Sequence, residues 1–242
     1  MSIRGMPAYF SDYWRLKSQK PKDGKVEFAN GALYPCLGDR YVSSGQARGP
    51  YFHQDLLVAG RIFENKPLHH IDVGSRVDGF VAHVASFRQI SVIDIRPLDS
   101  QIKNIAFLQA DVMNELPSKY VQSCDSLSCL HALEHFGLGR YGDPVRWDGY
   151  LIGFNNLLTL LRSGGRLYFS VPIGRPRIEF NAHRVFSLSH LMKMFEGQLK
   201  VDSFSYVDDN GDLHENTQLS ERSIQTNCEC DLGCGIFELT KL

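Results

Sequence analysis

Between residues 68 and 173 the apolar positions change period repeatedly. Short runs read as strands: LHHIDV (68–73), ISVID (90–94), IAFLQ (105–109), DSLSCL (125–130) and RLYFSVP (166–172), the last stopped by Pro172. Between them, VDGFVAHVASF (77–87) and GYLIGFNNLLTLLRSGG (149–165) carry apolar residues at helical spacing, and Gly164-Gly165 supplies a helix stop. DLLVAGRIF (55–63) suits a helix ahead of this block. A helix (188–196), a strand (199–206), a polar segment rich in Asp, Asn and Ser, and a last strand near 235–240 follow it. Strands alternating with helices predict an α/β fold with parallel pairing and right-handed crossovers.

The first fifty residues read differently. Tyr9, Phe10, Tyr13 and Trp14 share a short amphipathic stretch, Pro21 to Gly24 breaks it, and turn residues recur through Gly49 and Pro50. Residues 1–60 are therefore expected to form an N-terminal extension packing over the site, and 61–242 the main domain. There is no internal repeat and no low-complexity tract.

Composition adds limits. The chain has 242 residues, 43% hydrophobic and 22% charged, sufficient for a real core. A formal net charge of −1 offers no global field for nucleic acid or acidic membrane. No apolar run approaches the ~20 residues of a membrane helix, and the N-terminus has no signal core, so a cytoplasmic location is expected. Of the six cysteines, Cys124 and Cys129 sit in or beside an apolar run as small core residues, and nothing suggests a disulfide framework.

In an open parallel sheet, ligands sit beyond the carboxyl ends of the strands. Those ends carry Asp72-Val73-Gly74-Ser75, Asp94-Ile95-Arg96, Asp111-Val112 and His131-Ala132-Leu133-Glu134-His135. Gly74 admits close backbone approach, and the helix start after it offers amide donors to an anionic group. Asp94 follows Asp72 at about the twenty-residue spacing where an acid accepts ribose hydroxyls. Asp111 is placed to receive an adenine amine.

This order of motifs resembles the class I S-adenosylmethionine-dependent methyltransferases. The residues that carry the resemblance are HIDVGS (70–75), VID (92–94), LQAD (108–111), CDSLSCLHALEHF (124–136) and LLRSGGRLYFSVP (160–172). It implies a Rossmann-like seven-stranded sheet, parallel with one antiparallel strand and helices on both faces, with a C-terminal antiparallel hairpin. It also implies S-adenosylmethionine as cofactor, held by Asp72, Val73, Gly74, Ser75, Asp94, Ile95, Asp111 and Val112. YFHQDLLVA (51–59), DVGSRVDGF (72–80), GRYGDP (139–144) and FNAHRVF (180–186) resemble a branch often found with surface-polysaccharide genes. The first loop departs from the family's three-glycine pattern: Arg76 and Asp78 replace the second and third glycines, and Gly79 comes one residue late. Arg76 is expected to pair with Asp78 or to reach an anionic substrate.

Methyl transfer depends on positioning, and a hydroxyl acceptor benefits from a general base. His135 is the first candidate, His131 the second, with Glu134 beside both. Asn181, His183 and Arg184 after the fifth strand, and Arg140, Tyr141 and Asp143 in a Gly-bounded loop, are candidates for holding a polyol or phosphate. Tyr51, His53, Gln54 and Asp55 are candidates for folding over the site. The expected reaction is O-methylation of a small polar acceptor, such as a sugar or a nucleotide- or phosphate-linked sugar. Nucleic acid and membrane are not expected partners, and a homodimer is the alternative assembly.

Three rival readings stand beside this one. His131-x-x-Glu134-His135 also fits the inverted zinc-peptidase pattern, which needs the segment on a helix. A dinucleotide reductase shares the acid after the second strand but needs a fuller glycine fingerprint. A non-catalytic domain can use the fold as a scaffold. No metal is assigned; Cys228, Cys230 and Cys234 have a spacing outside the common zinc patterns and are expected to be reduced thiols.

Overall fold

A computed structural model describes residues 3–21 and 27–242. The expected break at Pro21 to Gly24 falls, from residue 22 on, outside the described residues. The chain forms two compact units, Met1–Ala47 and Arg48–Leu242. In the first, the aromatic stretch lies on α1 (Met6–Ser18). Arg40 pairs there with Asp12, and the Arg4 guanidinium lies 4.6 Å from the Tyr41 ring centroid.

The second unit begins with α2 (Pro50–Asn65), β1 (His70–Val73), a π-helical turn at Val77–Val81 leading into α3 (Ala82–Ala85), β2 (Ile90–Asp94) and β3 (Ile105–Gln109). Next come β4 (Cys124–Leu130), α4 (Gly149–Leu160) and β5 (Leu161–Ile173). The chain then forms β6 (Arg177–Glu179), β7 (His183–Val185), α5 (Leu188–Phe195), β8 (Leu199–Val207), β9 (Leu213–His214), α6 (Glu221–Thr226) and β10 (Gly233–Lys241). Among the described residues no helix is long and apolar enough to cross a membrane.

The main sheet runs β3-β2-β1-β4-β5-β10-β8-β9. Strands β3 to β5 pair in parallel, β10 is antiparallel to β5 and β8, and β9 is antiparallel to β8. This is the mostly parallel, Rossmann-like methyltransferase sheet, with eight strands where seven were expected. The eighth is β9, in the polar segment. Asp208 builds its turn by accepting Asn210 N and Asp212 N at 2.9 and 3.0 Å, so pairing there comes from turn chemistry rather than apolar alternation.

The two faces of the sheet bury different side chains. Ile71 and Val73 of β1 and Leu167 and Phe169 of β5 join Phe154 and Leu157 of α4 and Leu191 of α5 in one core. Val92 and Tyr168 pack with Val58, Ala59 and Ile62 of α2 and with Val84 of α3 in the other. Fully burying one such aliphatic side chain contributes roughly 1.5–3 kcal/mol. The alternate positions of the central strands on the second face are polar: His70, Asp72, Ser126, Ser128 and Ser170 are all buried. The first four satisfy one another, and Ser170 donates to Gln54 Oε1. His70 Nδ1 and Nε2 lie 2.7 and 3.1 Å from the hydroxyls of Ser126 and Ser128, and Ser128 Oγ donates to Asp72 Oδ2 at 2.5 Å.

Several expected boundaries shift for local reasons. β1 begins at His70, because Leu68 N and His69 N donate to the Asp125 carboxylate instead of extending a strand. The helix expected over 77–87 splits at Gly79, whose backbone is not helical. The pair Gly164-Gly165 does not stop a helix: α4 ends at Leu160, Leu161 already pairs with Cys124, and residues 162–165 bulge out before Arg166 pairs with Ser126.

Candidate active site

The strand order reverses between β1 and β4, which pair directly, so the crevice at their carboxyl ends is where a ligand is favoured. A cleft of about 660 Å³ opens there between Tyr51, Gln54 and Asp55 of α2, the loop from Gly74 to Phe80, and His131. It continues into an apolar recess walled by Ile93, Ile95, Val112, Met113 and Phe136; Asp94, Arg96, His135 and Tyr141 line both parts. The size suits a ligand of nucleoside dimensions.

At the end of β1 the chain must pass under β4. Gly74 has φ +80°, and a Cβ built on it would stand 2.7 Å from the Ala132 Cβ. Only glycine meets both demands. Asp72 does not face the cleft. It is fully buried, its carboxylate accepts Ser75 N at 3.1 Å and the hydroxyls of Ser75 and Ser128, and burial pushes its pKa up to about 7. It fixes the turn that puts Gly74 in the cleft wall. Arg76 makes a two-point ion pair with Asp78 at 3.0 and 2.7 Å, both side chains exposed. The two residues that replace glycines thus neutralise each other at the cleft rim.

At the end of β2, Asp94 is already engaged. Its Oδ1 accepts Arg96 N at 2.8 Å and Nε at 3.0 Å, and its Oδ2 accepts Nη2 at 2.6 Å. The same guanidinium lies 4.6 Å from the Tyr141 ring centroid. At the end of β3, Asp111 caps its own turn, accepting Met113 N at 2.9 Å and Asn114 Nδ2 at 3.2 Å, with Val112 buried beside it.

The end of β4 carries the titratable cluster. His131 is held at φ +50°, a conformation uncommon outside glycine though more accessible to His than to most residues, with its N–H bonded to the Ser170 carbonyl at 3.0 Å. Leu133–His135 is a single 3-10 turn, so the helix that an inverted zinc-peptidase motif needs is not there. Glu134 is buried between both imidazoles: Oε1 lies 3.0 Å from His131 Nδ1 and 3.6 Å from His135 Nε2. Burial opposes the charge on each member of the His131–Glu134 pair; it is outweighed at Glu134 by His131, and at His131 by Cys234 and Glu134 together. The carboxyl is held below its ordinary pKa and the imidazole, with Cys234 beside it, above. His131 Nε2 and Glu134 Oε2 have no hydrogen-bond partner among the described residues. His135 is shifted the other way, burial pulling it below its ordinary value, so it is neutral at pH 7. Its Nδ1 lies 2.6 Å from the Ala182 carbonyl, an acceptor only, which places the proton on Nδ1 and the lone pair on Nε2.

The residues expected to hold substrate divide. Tyr141 is in the cleft, edge-on to the His135 ring at 5.4 Å. Asp143 shapes its loop by accepting Gly137 N, Gly139 N and Tyr141 N. Arg140 lines the cleft and donates to the Ala182 carbonyl at 2.9 Å. Arg184 is buried away from it, with Nη1 and Nη2 donating to the carbonyls of Phe136 (2.5 Å) and Trp147 (3.3 Å) and reaching those of Glu134 and Arg146. Asn181 forms the left-handed turn of the β6–β7 hairpin, and His183 Nε2 faces Glu179 Oε2 at 3.2 Å. Those two and Arg184 stand outside the cleft, and the segment is a hairpin clamped to the β4 loop. His53 is not among the cleft residues, whereas Tyr51 is, its ring 5.2 Å from that of His131.

Sequence reading missed Met113, Phe136 and Ser170. The first two line the recess, and Ser170 anchors both His131 N and, by donating at 2.6 Å, Gln54 Oε1. Met113 directly follows the Asp111-Val112 pair and Phe136 is the last residue of CDSLSCLHALEHF (124–136), so both stood beside residues singled out for chemistry. Ser170 lies inside an apolar run and leaves no such signal. Cys228 and Cys230 are pushed up to about 11 and about 12 by burial. Among the described residues no three His, Cys, Asp or Glu side chains are grouped as a metal site.

Solved structures share this architecture. The N-methyltransferase NodS from Bradyrhizobium japonicum WM9, in complex with S-adenosyl-L-homocysteine, superposes with a TM-score of 0.52 at 12% identity, covering 80% of this chain and 88% of that one. The 1,6-didemethyltoxoflavin-N1-methyltransferase of Burkholderia thailandensis, with 1,6-didemethyltoxoflavin and S-adenosylhomocysteine bound, gives 0.53 at 14% identity over 78% of each chain. The [4+2]-cyclase SpnF gives 0.53 at 14% identity, covering 82% of this chain and 85% of that one. At such identities the likeness establishes the methyltransferase-type fold. No curated protein matches the sequence. A family model does, over residues 84–232: the chain belongs to the family described as Caenorhabditis protein of unknown function, DUF268.

Proposed function

We infer that this protein is an S-adenosylmethionine-dependent methyltransferase acting on a hydroxyl of a small polar acceptor, with His135 as general base. The observation that carries the reading is His135 itself: a neutral imidazole on the cleft wall, its Nδ1 proton anchored on the Ala182 carbonyl and its Nε2 lone pair free to accept a proton. The fold and the glycine-floored crevice support S-adenosylmethionine, whose sulfonium methyl is the group transferred when it is bound. Gly74, Ser75, Asp94, Ile95, Asp111 and Val112 are the residues that would hold it. Val73 also lines the recess, while Asp72 would act from behind, by shaping the turn.

His135 Nε2 takes the acceptor's proton, and the Glu134 carboxylate, 3.6 Å away, steadies the resulting imidazolium. Glu134 is a positioning residue, and its charge is kept in place by His131. Arg76 and Arg96 in the cleft are paired with Asp78 and Asp94, and Arg140 is the lining arginine bonded to a carbonyl instead of a carboxylate; it is the group that would meet a phosphate- or nucleotide-linked sugar. A role in surface-polysaccharide synthesis rests on the sequence resemblance alone. Arg184, Asn181 and His183 act on this reading as scaffold for the Ala182 carbonyl rather than as substrate contacts. The non-catalytic alternative is favoured by one observation, the occupation of Asp94 by Arg96.

The test is His135→Ala beside Glu134→Gln, assayed for S-adenosylhomocysteine binding by calorimetry and for methyl transfer to a panel of sugar nucleotides. His135→Ala is expected to fold, to bind within a few-fold of the parent, and to lose 10²–10⁴ in turnover, the usual range for a general base. Full turnover in that variant removes His135 from the mechanism, and no binding by the parent at millimolar ligand removes the methyltransferase reading.

A further inference from the structure

Asp94 and Arg96 stand where a bound ribose would meet the sheet, and they are bonded to each other. We propose that Arg96 is an internal competitor for the ribose hydroxyls, so that ligand enters the cleft by exchanging two bonds on Asp94 while the guanidinium stays on Tyr141. The proposal rests on the cofactor reading above.

Asp94 is nine-tenths buried at the end of β2, and Arg96 is only two residues on, so the ion pair closes without any tertiary movement. Of the three bonds Asp94 accepts from Arg96, one comes from the backbone N–H and two from the guanidinium. The backbone bond holds the carboxylate's orientation whether or not the side chain is there. The guanidinium bonds, at 3.0 and 2.6 Å, present two donors to the two oxygens, and a ribose diol presents the same pattern.

Release does not strand the guanidinium in the interior, and the buried Asp94 carboxylate keeps the Arg96 N–H and gains the two ligand hydroxyls. The Arg96 side chain is 42% exposed, and its guanidinium already lies over the Tyr141 ring. A cation on an aromatic face keeps part of its stabilisation there. Tyr141 sits in a loop flanked by Gly139 and Gly142, both at positive φ, and its ring also meets His135 edge-on. The exchange at Asp94 is thereby felt by the ring that packs on the proposed base. Arg96 thus selects for ligands whose paired hydroxyls replace both its donors. A ligand with one hydroxyl at that place leaves one carboxylate oxygen without the donor it had.

The experiment is calorimetric titration of S-adenosylhomocysteine, and of its 2′-deoxyribose analogue, into the parent, Arg96→Ala, Arg96→Gln and Asp94→Asn proteins at low and high salt. Removing the competitor is expected to tighten S-adenosylhomocysteine binding about tenfold in Arg96→Ala, equivalent to ~1.4 kcal/mol. Arg96→Gln, which keeps the stem and a polar head, is expected to fall between. Parent affinity is expected to rise with salt, since screening weakens the pair, and Arg96→Ala affinity is not. Asp94→Asn is expected to lose discrimination between ribose and deoxyribose. Equal or weaker binding by Arg96→Ala, with a parent that binds, overturns the proposal and leaves the cofactor reading standing. Absence of binding in every variant removes both.

Discussion

Gly74→Ala tests a close approach on which the proposed site depends. Two costs arise. An L-residue at φ +80° costs roughly 1–2 kcal/mol. The new Cβ would lie 2.7 Å from the Ala132 Cβ, about 1 Å inside a comfortable carbon–carbon contact, and overpacking of this kind costs typically 1–3 kcal/mol. The sum is about 2–5 kcal/mol. The contribution of the contact is separable, because Ala132→Gly removes the opposing methyl and leaves the backbone strain. The single Ala132→Gly variant is expected to lose on the order of 1 kcal/mol through the buried methyl and the freer chain. In the double variant the contact is relieved, so the two changes are expected to couple by about 1–3 kcal/mol in the stabilising direction. Urea unfolding of the four proteins measures the cycle, with unchanged m-values confirming a common native fold. Additivity within ~0.5 kcal/mol refutes the view that the β1 and β4 loops meet at these two carbons. S-adenosylhomocysteine affinity of the double variant gives a second readout, expected to recover relative to Gly74→Ala if the same approach shapes the cleft floor.

Two buried groups on β1 oppose each other in pH dependence. Burial lowers His70 from 6.5 to about 3 and raises Asp72 from 3.8 to about 7. The unfolded chain binds the extra proton at His70, so its contribution rises with pH across about 3 to 6.5; the native state binds it at Asp72, so that contribution falls between 3.8 and about 7. Asp72→Asn is therefore expected to steepen the gain in stability from pH 4 to 6.5, by at most ~1.4 kcal/mol per pH unit, in unfolding measured across that range; an unchanged slope refutes the assignment. Arg184→Met is expected to cost about 2–4 kcal/mol, because it orphans buried carbonyls of two segments, while leaving S-adenosylhomocysteine affinity within about twofold of the parent. Loss of ligand affinity without loss of stability would return Arg184 to the substrate site. Arg184→Lys is expected to recover little, since a single ammonium does not reproduce the planar fork.

The parts of the fold legible in the sequence are those whose residues announce themselves locally. β2 and β3 fall where ISVID and IAFLQ place them, because an apolar run bounded by polar residues fixes both ends. β9 and the β6–β7 hairpin were not legible, being two and three residues long, too short for any period to register. The bulge at residues 162–165 mimicked a helix stop, because glycine serves both purposes. The type of Arg184 and its position after the fifth strand suit a substrate contact. Its partners are carbonyls far away in sequence, and a carbonyl carries no residue signature. The split between His135 and His131 was equally hidden, since it depends on which ring nitrogen meets a carbonyl and which meets a carboxylate.

The strand-end acids show where such reading stops and what geometry then adds. In sequence Asp72, Asp94 and Asp111 look alike as ligand contacts, and in the structure each shapes its own turn. They differ in what would have to leave for a ligand to bind. The Asp72 oxygens are held by Ser75 N and by two hydroxyls in a fully buried site, so no ligand reaches them without opening the sheet end. Asp94 and Asp111 each keep one oxygen, Oδ2, held only by a side chain: Nη2 of Arg96 and Nδ2 of Asn114. Their other oxygens stay bonded to the backbone amides of Arg96 and Met113. A ligand can displace a side chain while the backbone bond preserves the turn. The proposed cofactor site therefore asks an exchange of side-chain partners of the acids at the ends of β2 and β3, and none of the one at the end of β1.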